Sequence, residues 1–143
     1  MIVVDTNVLA YLYLPMEHSA KAEALLKKDP DWAAPLLWRS EFRNILAGYL
    51  RRKTLTFDAA RALQAEAEGL MAGNEHDVDS QRVLELVRDS DCSAYDCEFV
   101  ALAIQLDAEL VTMDSKLLKA FPKHAIALAG QRMKGTSPSR GTR

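Results

Sequence analysis

The chain has 143 residues, 49% of them apolar and 27% charged, a length and composition that allow one buried core without disulfides and argue against a disordered chain. No apolar run approaches the roughly 18 residues of a membrane span. Net charge is −2, with Arg132, Lys134, Arg140 and Arg143 unopposed in residues 130–143 and fourteen basic against twenty acidic residues, −6, in residues 1–129. An acidic body argues against nonspecific coating of DNA, which wants a basic surface, though not against a nucleic-acid enzyme whose acids hold cations.

In chain order, residues 2–5 predict a short buried strand, stopped by Asp5-Thr6-Asn7. Helices are expected over 8–14, closed by Pro15, and over 17–28. Residues 31–34 suit a strand, after which Pro35 is expected to open a helix over about 36–53. Thr56 or Asp58 starts the next helix, which runs to about Gly73, and 75–78 is weakly strand-like. Helices follow at 80–89 and 94–107. Strands are expected at 109–112 and 124–128, with a short helix at 115–121 between them. The run Phe99-Val100-Ala101-Leu102-Ala103-Ile104 is apolar all round and places its helix inside the molecule. Short strands alternating with helices predict an α/β domain on a mainly parallel sheet over residues 1–129, followed by a flexible basic tail over 130–143.

Four acids hold the chemical interest. Asp5 and Asp114 end strands, Asp96 lies in the first turn of the buried helix, and Glu41 sits early in the helix after Pro35. In a parallel sheet, strand ends and helix beginnings share one edge, where ligands bind. Gathered there, the acids would suit a hard divalent cation. Singly, each has a plainer role: Asp5 and Asp114 as helix caps, Asp96 in the Ser93-Ala94-Tyr95-Asp96 capping pattern, Glu41 as a helix-start acid or an ion-pair partner of Arg39 or Arg43. Helix geometry points Arg39 and Arg43 away from Glu41 and puts Asn44 on its face, which makes Asn44 the candidate lining residue. The cluster Arg39, Arg43, Arg51, Arg52 and Lys53 is either a solvated face or a surface for an RNA backbone. His18, His76 and His124 are scattered and match no zinc pattern. Cys92 and Cys97 match no redox pattern, and Cys97 suits a small core position.

Val4-Asp5-Thr6-Asn7, Ser40-Glu41, Ser93-Ala94-Tyr95-Asp96 running into Phe99-Val100-Ala101-Leu102-Ala103, and Val111-Thr112-Met113-Asp114 together resemble the PIN domain, and more narrowly the VapC-type ribonuclease toxins, over about residues 1–128. Cys97 and Glu98 stand where that family more often has alanine and an apolar or aromatic residue. The resemblance implies an α/β/α sandwich and a Mg²⁺- or Mn²⁺-dependent endoribonuclease. Its acid set is Asp5, Glu41, Asp96 and Asp114, with Asp5 and Asp96 as main metal ligands and the hydroxyls of Thr6 and Thr112 beside them. It also implies a cognate antitoxin that blocks the site, a homodimer and, with no signal-like start, a cytoplasmic location. Two other functions compete: hydrolysis of a small phosphate ester, which would use the same acids but needs a closed pocket, and a catalytically silent RNA- or protein-binding module on the same fold, against which the intact acids argue.

Overall fold

The computed structural model describes residues 1–128; the tail over 130–143 lies outside them. Five parallel strands, β1 (Ile2–Val4), β2 (Trp32–Pro35), β3 (Glu75–His76), β4 (Leu110–Thr112) and β5 (Ala125–Ala127), form one sheet in the order β3-β2-β1-β4-β5. Among the described residues, seven helices cover it in an α/β/α sandwich: α1 (Thr6–Tyr13), α2 (Ser19–Lys28), α3 (Leu37–Arg51), α4 (Phe57–Met71), α5 (Ser80–Arg88), α6 (Ala94–Leu106) and α7 (Ser115–Ala120). The chain leaves β1 toward β2 and β3, then returns to lay β4 on the other side of β1, with Val3 beside Ala33 in one register and beside Leu110 in the other. The reversal between β1 and β4 is the topological switch point, where an α/β sheet opens a crevice beyond its strand ends.

Apolar strands and one wholly apolar helix build the core. Every residue of β1, β2 and β4 is buried. Helix α6 buries Cys97, Phe99, Val100, Ala101, Leu102 and Ala103 and packs against β1, β2 and β4. The same core continues between α1, α3 and α4, where the Phe42 ring meets Trp38 and Tyr13 edge-on at 5.8 and 6.3 Å. Such aromatic pairs stabilise beyond their buried area.

Pro35 departs from the sequence expectation. It is the last residue of β2, paired with His76, and α3 begins only at Leu37. The ladder to β3 uses the N–H groups of Ala34 and Leu36, donated to Asn74 and His76 carbonyls. The N–H that proline lacks would point to the other side, beyond the last β1–β2 pair at Val3 and Ala33, so no bond is lost. Helix α4 stops at Met71, short of Gly73, whose φ of +86° turns the chain into β3. Of the apolar residues in and beside the first two helices, Leu9, Leu14 and Leu25 are core, Tyr11, Leu12 and Tyr13 are half-buried, and Ala20 and Ala24 face solvent.

Candidate active site

The carboxyl edge of the sheet holds a cavity of about 400 Å³, lined by Asp5, Thr6, Asn7, Leu37, Ser40, Glu41, Asn44, Ile45, Tyr95, Asp96 and Asp114. Each element delivers its side chain for a local reason. Strand β1 ends where Asp5 turns the chain into α1. Asp5 occupies the N-cap position, yet its side chain caps nothing; instead its Oδ2 accepts the Thr112 hydroxyl at 2.7 Å. Thr112, wholly buried at the end of β4, accepts in turn from the Asp114 N–H at 3.0 Å. One hydroxyl therefore couples the two acid-bearing strand ends across the switch point.

Asp114 does cap its helix: Oδ1 accepts the N–H groups of Lys116 and Leu117 at 2.8 and 3.1 Å. The plain reading thus holds for one oxygen of Asp114, and the residue still lines the cavity. Ser93 caps α6 by accepting the Asp96 N–H at 3.0 Å, which leaves the Asp96 carboxylate on the cavity wall. Glu41 comes from α3. Its Oε1 accepts the Thr6 hydroxyl at 2.7 Å, and neither Arg39 nor Arg43 reaches it among the described ion pairs. Arg39 is committed elsewhere, to Glu75 by two bonds of 2.6 and 2.8 Å and to Glu68 at 3.2 Å.

Leu37, Ser40, Glu41, Asn44 and Ile45 follow the i, i+3, i+4, i+7, i+8 spacing of a single helix face. Sequence reasoning along this face reached Glu41 and Asn44 and missed Leu37, Ser40 and Ile45, though the same periodicity marks them. It also missed Asn7 and Tyr95 as lining residues, which stand two residues after Asp5 and one before Asp96. Thr112 is not on the cavity wall but behind it.

The acids carry the electrostatic mark of a shared, poorly solvated site. Burial raises the Asp5 pKa, the Thr112 hydrogen bond opposes that rise, and the charges of Asp96 and Asp114 add to it. Burial likewise raises Glu41, against the Thr6 bond and with help from Asp5, Asp96 and Glu98. Asp96 is raised by burial and by Asp114, while Ser93 and Lys116 act the other way. Such an arrangement favours a proton or a cation over empty negative charge. Apart from the Tyr95 phenol, every ionisable lining group is a carboxylate, and this all-oxygen donor set suits a hard ion and not a soft one. Among the described residues, no three His, Cys, Asp or Glu side chains already stand together as a cage for an ion. The lining is an open acid face.

A family model described as the PIN domain matches residues 2–123. The chain belongs to the PIN domain family. Across 124 residues this PIN protein is 30% identical to Ribonuclease VapC3 of Pyrobaculum aerophilum, an alignment that covers 85% of this chain and 95% of the relative. Its fold resembles FitAcB from Neisseria gonorrhoeae at a TM-score of 0.73 and 19% identity, over 91% and 99% of the two chains. A toxin-antitoxin complex from Klebsiella pneumoniae gives 0.66 and 16%, over 90% and 98%. These two similarities speak to the fold.

Proposed function

We propose that this PIN protein is a divalent-cation-dependent endoribonuclease and the toxin half of a toxin–antitoxin pair, working as a homodimer held in check by a cognate antitoxin. The observation that carries the reading is the convergence of Asp5, Glu41, Asp96 and Asp114 on one cavity wall. It is supported by the ribonuclease name of the 30% identical relative and by the toxin–antitoxin title of a structural neighbour.

Asp5 and Asp96 would hold Mg²⁺ or Mn²⁺, which when bound supplies an acidified water and an electrophile for the phosphodiester. The chain's own groups do the rest. Thr112 holds the buried Asp5 carboxylate in one orientation through its hydroxyl. Thr6 does the same for Glu41, leaving Oε2 to take or give a proton at the attacking water. The raised pKa of Glu41 suits that exchange. Asp114 has one oxygen fixed by its helix cap, and the other would hold a second ion or position water. Asn7, Ser40, Asn44 and Tyr95 on the cavity lining are all exposed. A site that open suits a passing polymer better than the closed pocket a small phosphate ester needs.

The test is cleavage of single-stranded RNA in Mg²⁺ or Mn²⁺ by the wild type, Asp5→Asn and Asp96→Asn. Both variants should stay folded and lose at least a hundredfold in activity, and excess EDTA should stop the wild type. Undiminished cleavage in EDTA, or by either variant, overturns the assignment.

A further inference from the structure

The proposed chemistry uses the acids of the cavity and leaves part of its lining without a task. Leu37 and Ile45 from α3 and Tyr95 from α6 give it an apolar component. Tyr95 is 63% exposed, an unusual place for a large ring. Among the described residues its hydroxyl has no hydrogen-bond partner, and no ring packs on it. Its backbone is nonetheless firmly mounted. It lies in the first turn of the buried helix α6, where Ser93 accepts the Asp96 N–H through its hydroxyl and the Cys97 N–H through its carbonyl. Around the ring's cavity stand Asn7, Ser40 and Asn44, exposed groups with no side-chain hydrogen bond among the described residues. An open aromatic face, an aliphatic surface and free amide and hydroxyl groups are the complement of one nucleobase, a flat ring with a polar edge.

Charge points the same way. An RNA backbone approaching this acid face is repelled except where a cation intervenes. Affinity must come from contacts other than phosphate, and base stacking is the term that carries no charge.

We propose that Tyr95 is a substrate-positioning residue that stacks an unpaired nucleobase beside the scissile phosphate, with Leu37 and Ile45 against the base and Asn7 and Asn44 at its edge. This rests on the ribonuclease reading for its substrate class. It makes the substrate single-stranded or looped RNA, because a base held in a duplex cannot turn onto the ring.

The test uses a short single-stranded oligoribonucleotide carrying 2-aminopurine, whose fluorescence falls on stacking, with the wild type, Tyr95→Phe and Tyr95→Ala. Wild type and Tyr95→Phe should quench the probe, and Tyr95→Ala should not. In Mn²⁺-dependent cleavage, Tyr95→Ala should raise KM about 5- to 150-fold, the equivalent of stacking one base, with kcat within about threefold and an unchanged melting temperature. An abasic nucleotide beside the cut should raise KM for the wild type and add nothing in Tyr95→Ala. Quenching and KM both unchanged in Tyr95→Ala overturn the inference while cleavage still upholds the ribonuclease. Quenching that follows the ring without any cleavage upholds the stacking site and overturns the ribonuclease; neither binding nor cleavage overturns both. Loss of antitoxin binding in Tyr95→Ala, with quenching and KM intact, would assign the ring to protein docking and also overturn it.

Discussion

Asp5 is the residue on which the site's cost and purpose meet. Its carboxylate is almost fully buried, faces Asp96 and Asp114, and has the Thr112 hydroxyl as its side-chain donor. Asparagine has the same shape and can accept the same bond, without the charge. In EDTA, Asp5→Asn should therefore melt above the wild type, by about 3 °C for each kcal/mol of relieved desolvation and repulsion at this chain size. In millimolar Mn²⁺ the order should reverse, because a cation that binds only the folded wild type stabilises it by about 2.7 kcal/mol at a hundred times its Kd. Parallel melts in the two conditions check this; a wild type whose melting temperature ignores Mn²⁺ would show that these acids do not share an ion. The sequence made Asp5 visible as an acid at a strand end. The Thr112 bond was not visible, because a contact across 107 residues exists only once β1 and β4 are neighbours.

At the scale of elements, α3 matters most, since one face of it enters the cavity. Its first turn is clamped from β3: Glu75 accepts from Trp38 Nε1 at 2.8 Å and from two nitrogens of Arg39. The Arg39 hydrogen bond holds the Glu75 carboxyl below its usual pKa, with Trp38 and the Arg39 charge assisting against burial. A carboxylate depressed in the folded state stabilises fully above its unfolded pKa, about 4.3, and that stability drains away as pH falls through the lower folded value. Glu75→Gln should cost roughly 1.5–3 kcal/mol at pH 7, the worth of hydrogen bonds to a charged group. The gap to the wild type should be smaller at about pH 3, below the unfolded value, where that stability is draining away. Urea unfolding at the two pH values measures it, and an equal gap at both would refute the clamp's ionic character. Helix α6 was legible from its unbroken apolar run and Asp96 from the capping pattern ahead of it. The start of α3 was not, because Pro35 is as good at ending a strand with one unpaired side as at opening a helix. Nor was the clamp, whose partners are 36 and 37 residues apart. The basic cluster read on α3 as one surface is split by it: Arg39 belongs to the clamp, and Arg52 lies over the Tyr49 ring at 4.7 Å.

For the whole molecule, the parallel sheet and its acid edge were legible because the alternation of elements allows few arrangements. Which residues remain on the surface was less so. The apolar side chains of α1 and α2 look surplus to two short helices, yet Leu9, Leu14 and Leu25 all go to the core. Among the described residues, the exposed large apolar ones are Met1, Met16, Leu36, Phe57, Leu84 and Tyr95, scattered over six stretches of chain. Co-expression with a cognate antitoxin should give a stable complex in which RNA cleavage is suppressed at least tenfold and the melting temperature rises. A complex that cleaves as fast as the free chain would remove regulation of the site from the proposal.

The position of β1 has a consequence for synthesis. Of the described strands, the earliest in the chain is the central one, and it waits for the fourth before its second edge is paired. A chain emerging from the ribosome at about 5–20 residues per second carries Asp5 for roughly 5–20 s before Thr112 and Asp114 exist. The acid edge of the sheet is thus incomplete until nearly all of the described fold has been translated.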